Sequence, residues 1–537
     1  MRIIFLCLFL IDASSAIAFA AAQDHPNFLV LLADDLGYSD LGCYGGEVQT
    51  PNLDSLAAGG LRYTQFYNTA RCWPTRAALL TGYYPQQVGF DALPDVPKSD
   101  RRQRPSWALL LPNYLRPLGY RSYHSGKWHL DGGPVAGGFD RSYSLNDQDR
   151  YFSPRQHTLD DRRLPPVKEN NGYYATTAVA DHAVNFLQEH SEKHTDKPFF
   201  QYVAFTSPHF PLHALPEDTA RYADRYRVGW DVIRRQRWQR IEQMLRLPGK
   251  LSALEPRIGP PHAFARTSAI LGPGEVYREQ SWSELSKEQR DLQAAKMAIH
   301  AAMVDRMDRE IGRLVEQLRL MGALENTLIF FFADNGASAE IMVRGDGHDS
   351  AAPLGSAGTF PCLGPGWSRA ANTPFRRHKI WVHEGGIATP LIAHWPTGIA
   401  ARGDSRRAVG HVIDIAPTIL QLAGGAWPTE HEKPAAPQRP GKNLSPTFNA
   451  DVDVERDQLW WVHSGNRAIR VGDWKLVSAR DEPWELYDLA HDRAENHNLA
   501  ANNPKKVAEL EKQWLATTRE FQELTAVNGE SDPVRRD

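Results

Sequence analysis

Cysteine is scarce in this chain of 537 residues: four in all, Cys7, Cys43, Cys72 and Cys362. So few exclude a disulfide-stapled scaffold, whose loops are held by many paired cysteines. A surplus of one charge is also lacking, with 61 basic residues against 64 acidic and a formal net charge of −3. There is then no global attraction for nucleic acid or an anionic membrane surface, and any affinity for anions must come from a local site. Internal repeats and low-complexity tracts are missing too. No apolar run approaches the roughly 20 residues of a membrane helix, so no membrane span is expected. What is present, 42% hydrophobic and 23% charged residues, is the composition of a globular protein with a sizeable core.

The chain begins with Arg2 and the apolar run Ile3 to Ile11, followed by Ala16-Ile17-Ala18-Phe19-Ala20-Ala21-Ala22. A short basic start, a short apolar stretch and an A-x-A pattern read as an export signal over residues 1–22. The mature protein is then expected to be periplasmic or secreted, and Cys7 leaves with the signal. Of the remaining cysteines, either Cys43 and Cys362 pair or all three stay free.

Further along, short apolar runs repeatedly stop at polar residues. Asn27 to Ala33 ends at Asp34-Asp35, and Gly119 to Ser125 leads into Gly126-Lys127-Trp128-His129. Phe199 to Phe205 ends at Ser207-Pro208-His209, and Leu328 to Ala333 at Asp334-Asn335-Gly336. Pro390 to Trp395 is a further run, preceded by Lys379 and Glu384-Gly385-Gly386. Helical patterns lie between; Met297, Ala301, Val304, Met307, Ile311, Leu314 and Leu318 repeat at three- and four-residue steps. Continuous apolar strands alternating with amphipathic helices predict an α/β fold with a large, mostly parallel sheet sandwiched by helices. Ligands of such sheets bind outside the carboxyl ends of the strands, so the polar clusters would gather along one edge. After a Pro-rich connection at residues 424–447, the runs Leu459 to His463, Ala468 to Val471, Trp474 to Val477 and Trp484 to Leu489 predict a small antiparallel sheet. A helix from Pro504 to about Leu524 follows. This divides the chain into a catalytic domain over residues 23–440 and a C-terminal α+β subdomain over 441–537.

Asp34, Asp35, Asp334 and Asn335 offer only oxygen atoms, a donor set that suits Ca2+ or Mg2+ and lacks the His and Cys expected for zinc. Three carboxylates around a divalent ion leave a negative remainder that would repel an anionic substrate unless cations stood nearby. Arg76, Lys127 and Lys379, with His129 and His209, are the candidates. A hard metal with Lys, Arg and His is what transfer of a charged oxyanion group requires. Cys72-Trp73-Pro74-Thr75-Arg76, closed by Gly82, reads as a helix with Pro in its first turn and Gly at its stop. Cys72 would sit just before the helix N-terminus, where backbone N–H groups favour an anion, with Arg76 one turn along on the same face.

These residues carry a family resemblance. Cys72-x-Pro74-x-Arg76, followed by Leu80-Thr81-Gly82, is similar to the signature of the type I sulfatases of the alkaline phosphatase superfamily. The likeness continues through Ala33-Asp34-Asp35-Leu36-Gly37, Thr50-Pro51-Asn52-Leu53-Asp54, Gly126-Lys127-Trp128-His129-Leu130 and Ala333-Asp334-Asn335-Gly336. It includes Lys379 and His383-Glu384-Gly385-Gly386 and runs as far as Leu489. Asn372-Thr373-Pro374-Phe375-Arg376 and Gly364-Pro365-Gly366-Trp367 look most like bacterial arylsulfatases. The resemblance implies an alkaline phosphatase-like fold and hydrolysis of sulfate esters, aryl or saccharide, to an alcohol and inorganic sulfate. It implies that a maturation enzyme oxidises Cys72 to formylglycine, and that Asp34, Asp35, Asp334, Asn335 and the modified residue 72 bind Ca2+. Hydrated formylglycine is a geminal diol; one hydroxyl attacks sulfur and the other later expels sulfate, restoring the aldehyde. By the same resemblance Arg76 and Lys127 hold the diol and the sulfate oxygens. His209 and Lys379 assist the departing alcohol, and His129 takes the proton of the second hydroxyl.

Two other functions fit part of this pattern: a phosphonate or phosphate ester hydrolase on the same scaffold, and a non-catalytic binder of sulfated glycans. The full set of metal ligands, cations and Cys72 weighs against the second. The basic run Arg234-Arg235-Gln236-Arg237-Trp238-Gln239-Arg240 suggests a grip on polyanions, yet Val232, Ile233, Ile241 and Leu245 at helical spacing favour a solvated amphipathic helix. It lies in an insertion between about Glu217 and Gln293 that is expected to shape the substrate pocket. Arg344-Gly345-Asp346 reads as an accidental match to an adhesion motif. His213, His348, His378 and His383 read as structural histidines.

Overall fold

The computed structural model describes residues 25–262, 265–344, 347–427 and 436–530. The expected export signal, and Gly345 and Asp346 of the adhesion-like triplet, lie outside the described residues.

The main sheet contains β1 (Asn27–Ala33), β2 (Leu61–Tyr67), β3 (Arg121–Gly126), β4 (Arg141–Leu145), β5 (His157–Leu159) and β6 (Arg162–Arg163). It is completed by β7 (Phe199–Ala204), β8 (Thr327–Ala333), β9 (Ala388–His394), β10 (Asp404–Arg406) and β11 (Gly410–His411). Among the described residues the order is β10-β2-β9-β8-β1-β7-β3-β4-β5-β6, with β11 also on β2. The central run from β8 to β4 is parallel, while β9 is antiparallel to both β8 and β2. The sheet is therefore mixed and mostly parallel. The reversal of β9 matters for the site: its amino end, not its carboxyl end, lies at the edge where β1 and β8 finish. The segment carrying Lys379 reaches that edge on its way into β9.

The apolar strands are buried because their side chains divide between two cores. In β1, Leu29 and Leu31 enter one and Phe28, Val30 and Leu32 the other. Helices Ala175–Lys193 and Lys287–Leu320 cover the first face; helices Cys72–Thr81 and Ile415–Leu422 cover the second. The Lys287–Leu320 helix starts well before the repeating pattern at Met297. Its first turns are exposed and so carry no apolar period, and their start is fixed by a capping box between Ser286 and Gln289.

The C-terminal sheet is antiparallel as expected: β12 (Leu459–His463), β13 (Asn466–Val471), β14 (Trp474–Ser478) and β15 (Glu485–Asp488), in that order. The last helix, Pro504–Glu530, runs past Leu524. Its Leu510, Trp514 and Phe521 join Trp460, Ile469 and Leu476 in the second core, the one that holds Phe28 of β1.

One expectation needs correction and one open alternative is resolved. The basic run forms the expected amphipathic helix, Trp230–Leu245, with Ile233, Ile241 and Leu245 buried and Arg235, Gln236 and Gln239 exposed, but Arg234 and Arg237 do not lie on its solvated face. Arg237 is completely buried, pairing with Asp40 at 2.7 Å and Glu47 at 2.8 Å, and Arg234 donates to the Ser252 carbonyl at 2.8 Å. Arg237 ties the insertion to the loop after β1, and Arg234 bonds to Ser252 and the Pro374 carbonyl, which leaves no continuous grip for a polyanion. For the cysteines the second alternative holds: Cys43, Cys72 and Cys362 are all free and buried. Among the described residues no helix is long and apolar enough to cross a membrane.

Candidate active site

Because β8, β1, β7 and β3 are parallel neighbours, the residues that follow them meet at one edge. Asp34 and Asp35 follow β1, Asp334 and Asn335 follow β8, His209 follows β7, and Lys127 and His129 follow β3. Asp35 (φ 63°) and His129 (φ 59°) take left-handed backbone conformations, a local strain that turns the chain sharply at each strand end. Close approach explains two glycines. A Cβ at Gly126, where φ is 116°, would lie 2.0 Å from the Ala204 carbonyl oxygen, and one at Gly336 would lie 1.9 Å from that of Gly385.

Cys72 is the first residue of its helix rather than the one before it, and Gly82 (φ 74°) ends the helix with its N–H on the Ala78 carbonyl. The thiol lies 3.6 Å from His129 Nδ1, and its sulfur groups with carboxylate oxygens of Asp34 and Asp334 within 4.8 Å. Burial pushes the thiol pKa up, but Lys127, helped by Lys379 and Arg71, outweighs burial and brings it below its ordinary value.

The cations are already engaged with the acids. Arg76, completely buried, donates to Asp334 Oδ2 from Nε at 3.2 Å and Nη2 at 2.7 Å, and from Nη1 to the Lys127 carbonyl at 2.8 Å. Lys127 Nζ lies 2.5 Å from Asp34 Oδ2, and Lys379 Nζ 2.8 Å from Asp35 Oδ1. His209 Nδ1 is 2.5 Å from the Phe210 carbonyl, which leaves Nε2 facing Asp35 at 3.8 Å. Burial pushes Asp34 up, yet Lys127 and His209 outweigh it and hold that carboxyl well below its usual range. Asp334, equally buried and beside Asp34, is pushed up. Two carboxylates so placed do not ionise together without added positive charge. For His129, burial and then Lys127 and Arg76 lower the pKa from 6.5 to about 2, so the imidazole is neutral.

Asp34 Oδ1 and Asn335 Oδ1 are buried and accept no hydrogen bond, a rare condition for buried polar atoms. The other oxygen of Asp34 serves Lys127, and Asn335 turns its amide nitrogen to Asp35 Oδ1 at 2.7 Å. Two oxygens without donors, next to two further carboxylates, fit a hard divalent cation.

The structure therefore brings all ten of these side chains together at one edge of the sheet. Sequence reasoning missed Glu340, buried and within 3.0 Å of Lys379, 2.9 Å of Arg71 and 3.1 Å of His262; no motif marks it. It also missed Thr75, whose hydroxyl donates to the Asp334 carbonyl at 2.6 Å. His378 is structural as expected, between Ser368 and Glu279. A cavity of about 310 Å3 opens beside His209, lined among others by Asp149, Phe152, His213, Arg344 and Phe360. Among the described residues none of the insertion lines this cavity directly; Leu271 and Tyr277 of the insertion pack against the cluster of Phe210 and Phe360, and His262 reaches Glu340.

Residues 26–426 match the family model for sulfatase, and residues 376–522 match that for the C-terminal part of N-sulphoglucosamine sulphohydrolase. The chain is 32% identical over 554 positions to an uncharacterized sulfatase of Schizosaccharomyces pombe, covering 94% of this chain and 96% of that protein. It is 30% identical to an arylsulfatase of Klebsiella aerogenes over 76% of this chain and 88% of that one. Its fold resembles a structure solved with its substrate D-glucosamine-2-N,6-O-disulfate, with a TM-score of 0.63, 23% identity, and coverage of 96% and 100%. A large mixed sheet between helices, with a separate four-stranded antiparallel sheet, is the alkaline phosphatase type of fold. The chain belongs to the sulfatase family, whose members are sulfuric ester hydrolases.

Proposed function

We propose that the protein hydrolyses aryl or saccharide sulfate esters with residue 72 in its formylglycine form and with calcium held by Asp34, Asp35, Asp334, Asn335 and residue 72. The observation that carries this reading is the pair of donorless buried oxygens, Asp34 Oδ1 and Asn335 Oδ1, in a cluster shared with Cys72. A divalent ion held there would supply the charge that lets Asp34 and Asp334 ionise together and would act as a Lewis acid toward a bound anion. The aldehyde made from Cys72 by a maturation enzyme supplies, once hydrated, an oxygen nucleophile with a second hydroxyl in reserve.

The chain's own side chains do the rest. Arg76 and Lys127, fixed by the acids around them, hold the nucleophile and the sulfate oxygens. His209, its Nδ1 committed to the Phe210 carbonyl, passes a proton through Nε2 to the bridging oxygen, with Lys379 beside it. His129, neutral and 3.6 Å from the side chain of residue 72, accepts a proton from the second hydroxyl. The cavity beside His209 receives the alcohol. The N-terminal pattern supports export to the periplasm or beyond, and the two sheets support a division near residue 440.

Protein co-expressed with a maturation enzyme should cleave 4-nitrophenyl sulfate faster than the matched phenyl phosphonate ester. Removing the metal should abolish activity and Ca2+ should restore it better than Zn2+. Full turnover by metal-free protein, or by protein whose residue-72 peptide is still plain cysteine by mass, would overturn the reading.

A further inference from the structure

Glu340 lies five residues beyond Asn335 on the strand-free segment that follows β8, and its side chain is 4% exposed. One carboxylate oxygen faces Arg71 Nη1 at 2.9 Å and His262 Nε2 at 3.1 Å. The other faces Lys379 Nζ at 3.0 Å and accepts from Ser338 Oγ at 3.0 Å. These partners come from three segments far apart in sequence. Arg71 immediately precedes residue 72, Lys379 lies on the approach to β9, and His262 belongs to the insertion. Backbone bonds stitch the same wall together, from Lys379 N to the Ala337 carbonyl at 3.1 Å and from Ile380 N to the Ala70 carbonyl at 2.9 Å.

A buried carboxylate is costly unless paired, and both oxygens of Glu340 are paired with cations. Burial pushes the Glu340 carboxyl up, but Lys379 and Arg71 outweigh it and keep it ionised, well below its usual range. A lysine ammonium is a point charge on a flexible four-carbon stem, so a single contact does not fix it. Here Asp35 holds Nζ from one side and Glu340 from the other. Without Glu340, Lys379 would be free to follow Asp35 alone.

We propose that Glu340 is a positioning residue that holds the Lys379 ammonium where the departing oxygen of the ester needs it, and that it ties the insertion to this wall through His262. The inference rests on the role assigned to Lys379 under the proposed function. Glu340 itself does not touch substrate.

The test is a double-mutant cycle of E340Q and K379A in the mature holoenzyme, on aryl sulfates whose phenols differ in acidity. Proton or charge assistance to a leaving group is worth about 10²–10⁴-fold and matters most for poor leaving groups. E340Q should therefore lower kcat/KM more for weakly acidic phenols, by about tenfold or more at that end, and K379A should show the same trend more steeply. In the K379A background E340Q should cost less than about twofold, because residues that act as one unit are not additive. If K379A shows no dependence on leaving group, the role of Lys379 is wrong. If K379A shows it but E340Q reduces all esters equally, or adds in full to K379A, the positioning role of Glu340 is wrong. Should E340Q fail to fold, E340D is read in the same cycle and should show a weaker form of the same trend; a uniform loss there is equally decisive.

Discussion

At position 72 the encoded side chain and the one the proposed reaction needs are different. A thiol cannot form a geminal diol, and a sulfated thiol could not be broken at carbon. The surroundings of Cys72, with Lys127, Lys379 and Arg71 outweighing burial, favour an anion whatever atom bears it. Cys72→Ser, kept unoxidised by the host, retains one oxygen nucleophile and loses the second hydroxyl. Its Oγ would attack sulfur as the alcohol leaves, and the resulting sulfate ester would have no internal route of release. Negligible steady-state turnover is expected, with one equivalent of alcohol released and a mass increase of one SO3 unit on the peptide covering residue 72. Continued turnover by demonstrably unoxidised Cys72→Ser would exclude the aldehyde route.

On the level of single elements, the turns after the strands are set by backbone contact as much as by side chains. Gly336 closes the Asp334-Asn335 turn against Gly385, whose carbonyl oxygen would lie 1.9 Å from any Cβ placed there. Neither atom belongs to a flexible side chain, so Gly336→Ala must displace one of two segments that bear site residues. Overpacking of this kind costs about 1–3 kcal/mol. The variant should melt lower and bind Ca2+ more weakly, as measured by scanning calorimetry and titration calorimetry. Parent-like values in both would show that the turn has slack its geometry does not suggest.

Across the whole molecule, the C-terminal sheet is tied to the active-site edge by a buried charge network. Glu384, first residue of the short helical turn Glu384–Ile387 that leads into β9, meets Lys475 of β14 at 2.9 Å, Arg493 at 2.8 Å and the Tyr67 hydroxyl at 3.0 Å. Glu495 accepts from the Glu384 backbone N–H at 3.0 Å and also lies 2.8 Å from Lys475. Burial, with Glu384 adding to it, raises the Glu495 carboxyl from 4.5 to about 7 against the pull of Lys475. The folded state thus keeps a proton that the unfolded chain releases, and this group's contribution to stability falls as pH rises from about 4.5 to about 7. Glu495→Gln removes that dependence. Relative to the parent, the variant should gain stability between pH 5 and pH 8, by about 2–3 kcal/mol or roughly 2 °C in Tm. A difference in Tm that stays constant over that interval would refute the sign.

The sequence alone marked out the residues of the proposed metal site, the proposed nucleophile position and the cations, because each sits in a short local pattern: a strand end, a helix start, a Gly-bounded turn. It also determined that the strands of the main sheet are buried on both faces, since their apolar runs are continuous. Only the tertiary structure decided which way β9 runs, and hence how Lys379 arrives at the same edge as Asp34. It alone turned Arg234 and Arg237 inward, because whether a helical arginine meets water or a buried partner depends on what other segments bring opposite it, here Asp40 and Glu47 for Arg237 and Ser252 and the Pro374 carbonyl for Arg234. Glu340 was invisible for the same reason. Its partners are residues 71, 262 and 379, and contacts between segments so far apart leave no period or spacing along the chain.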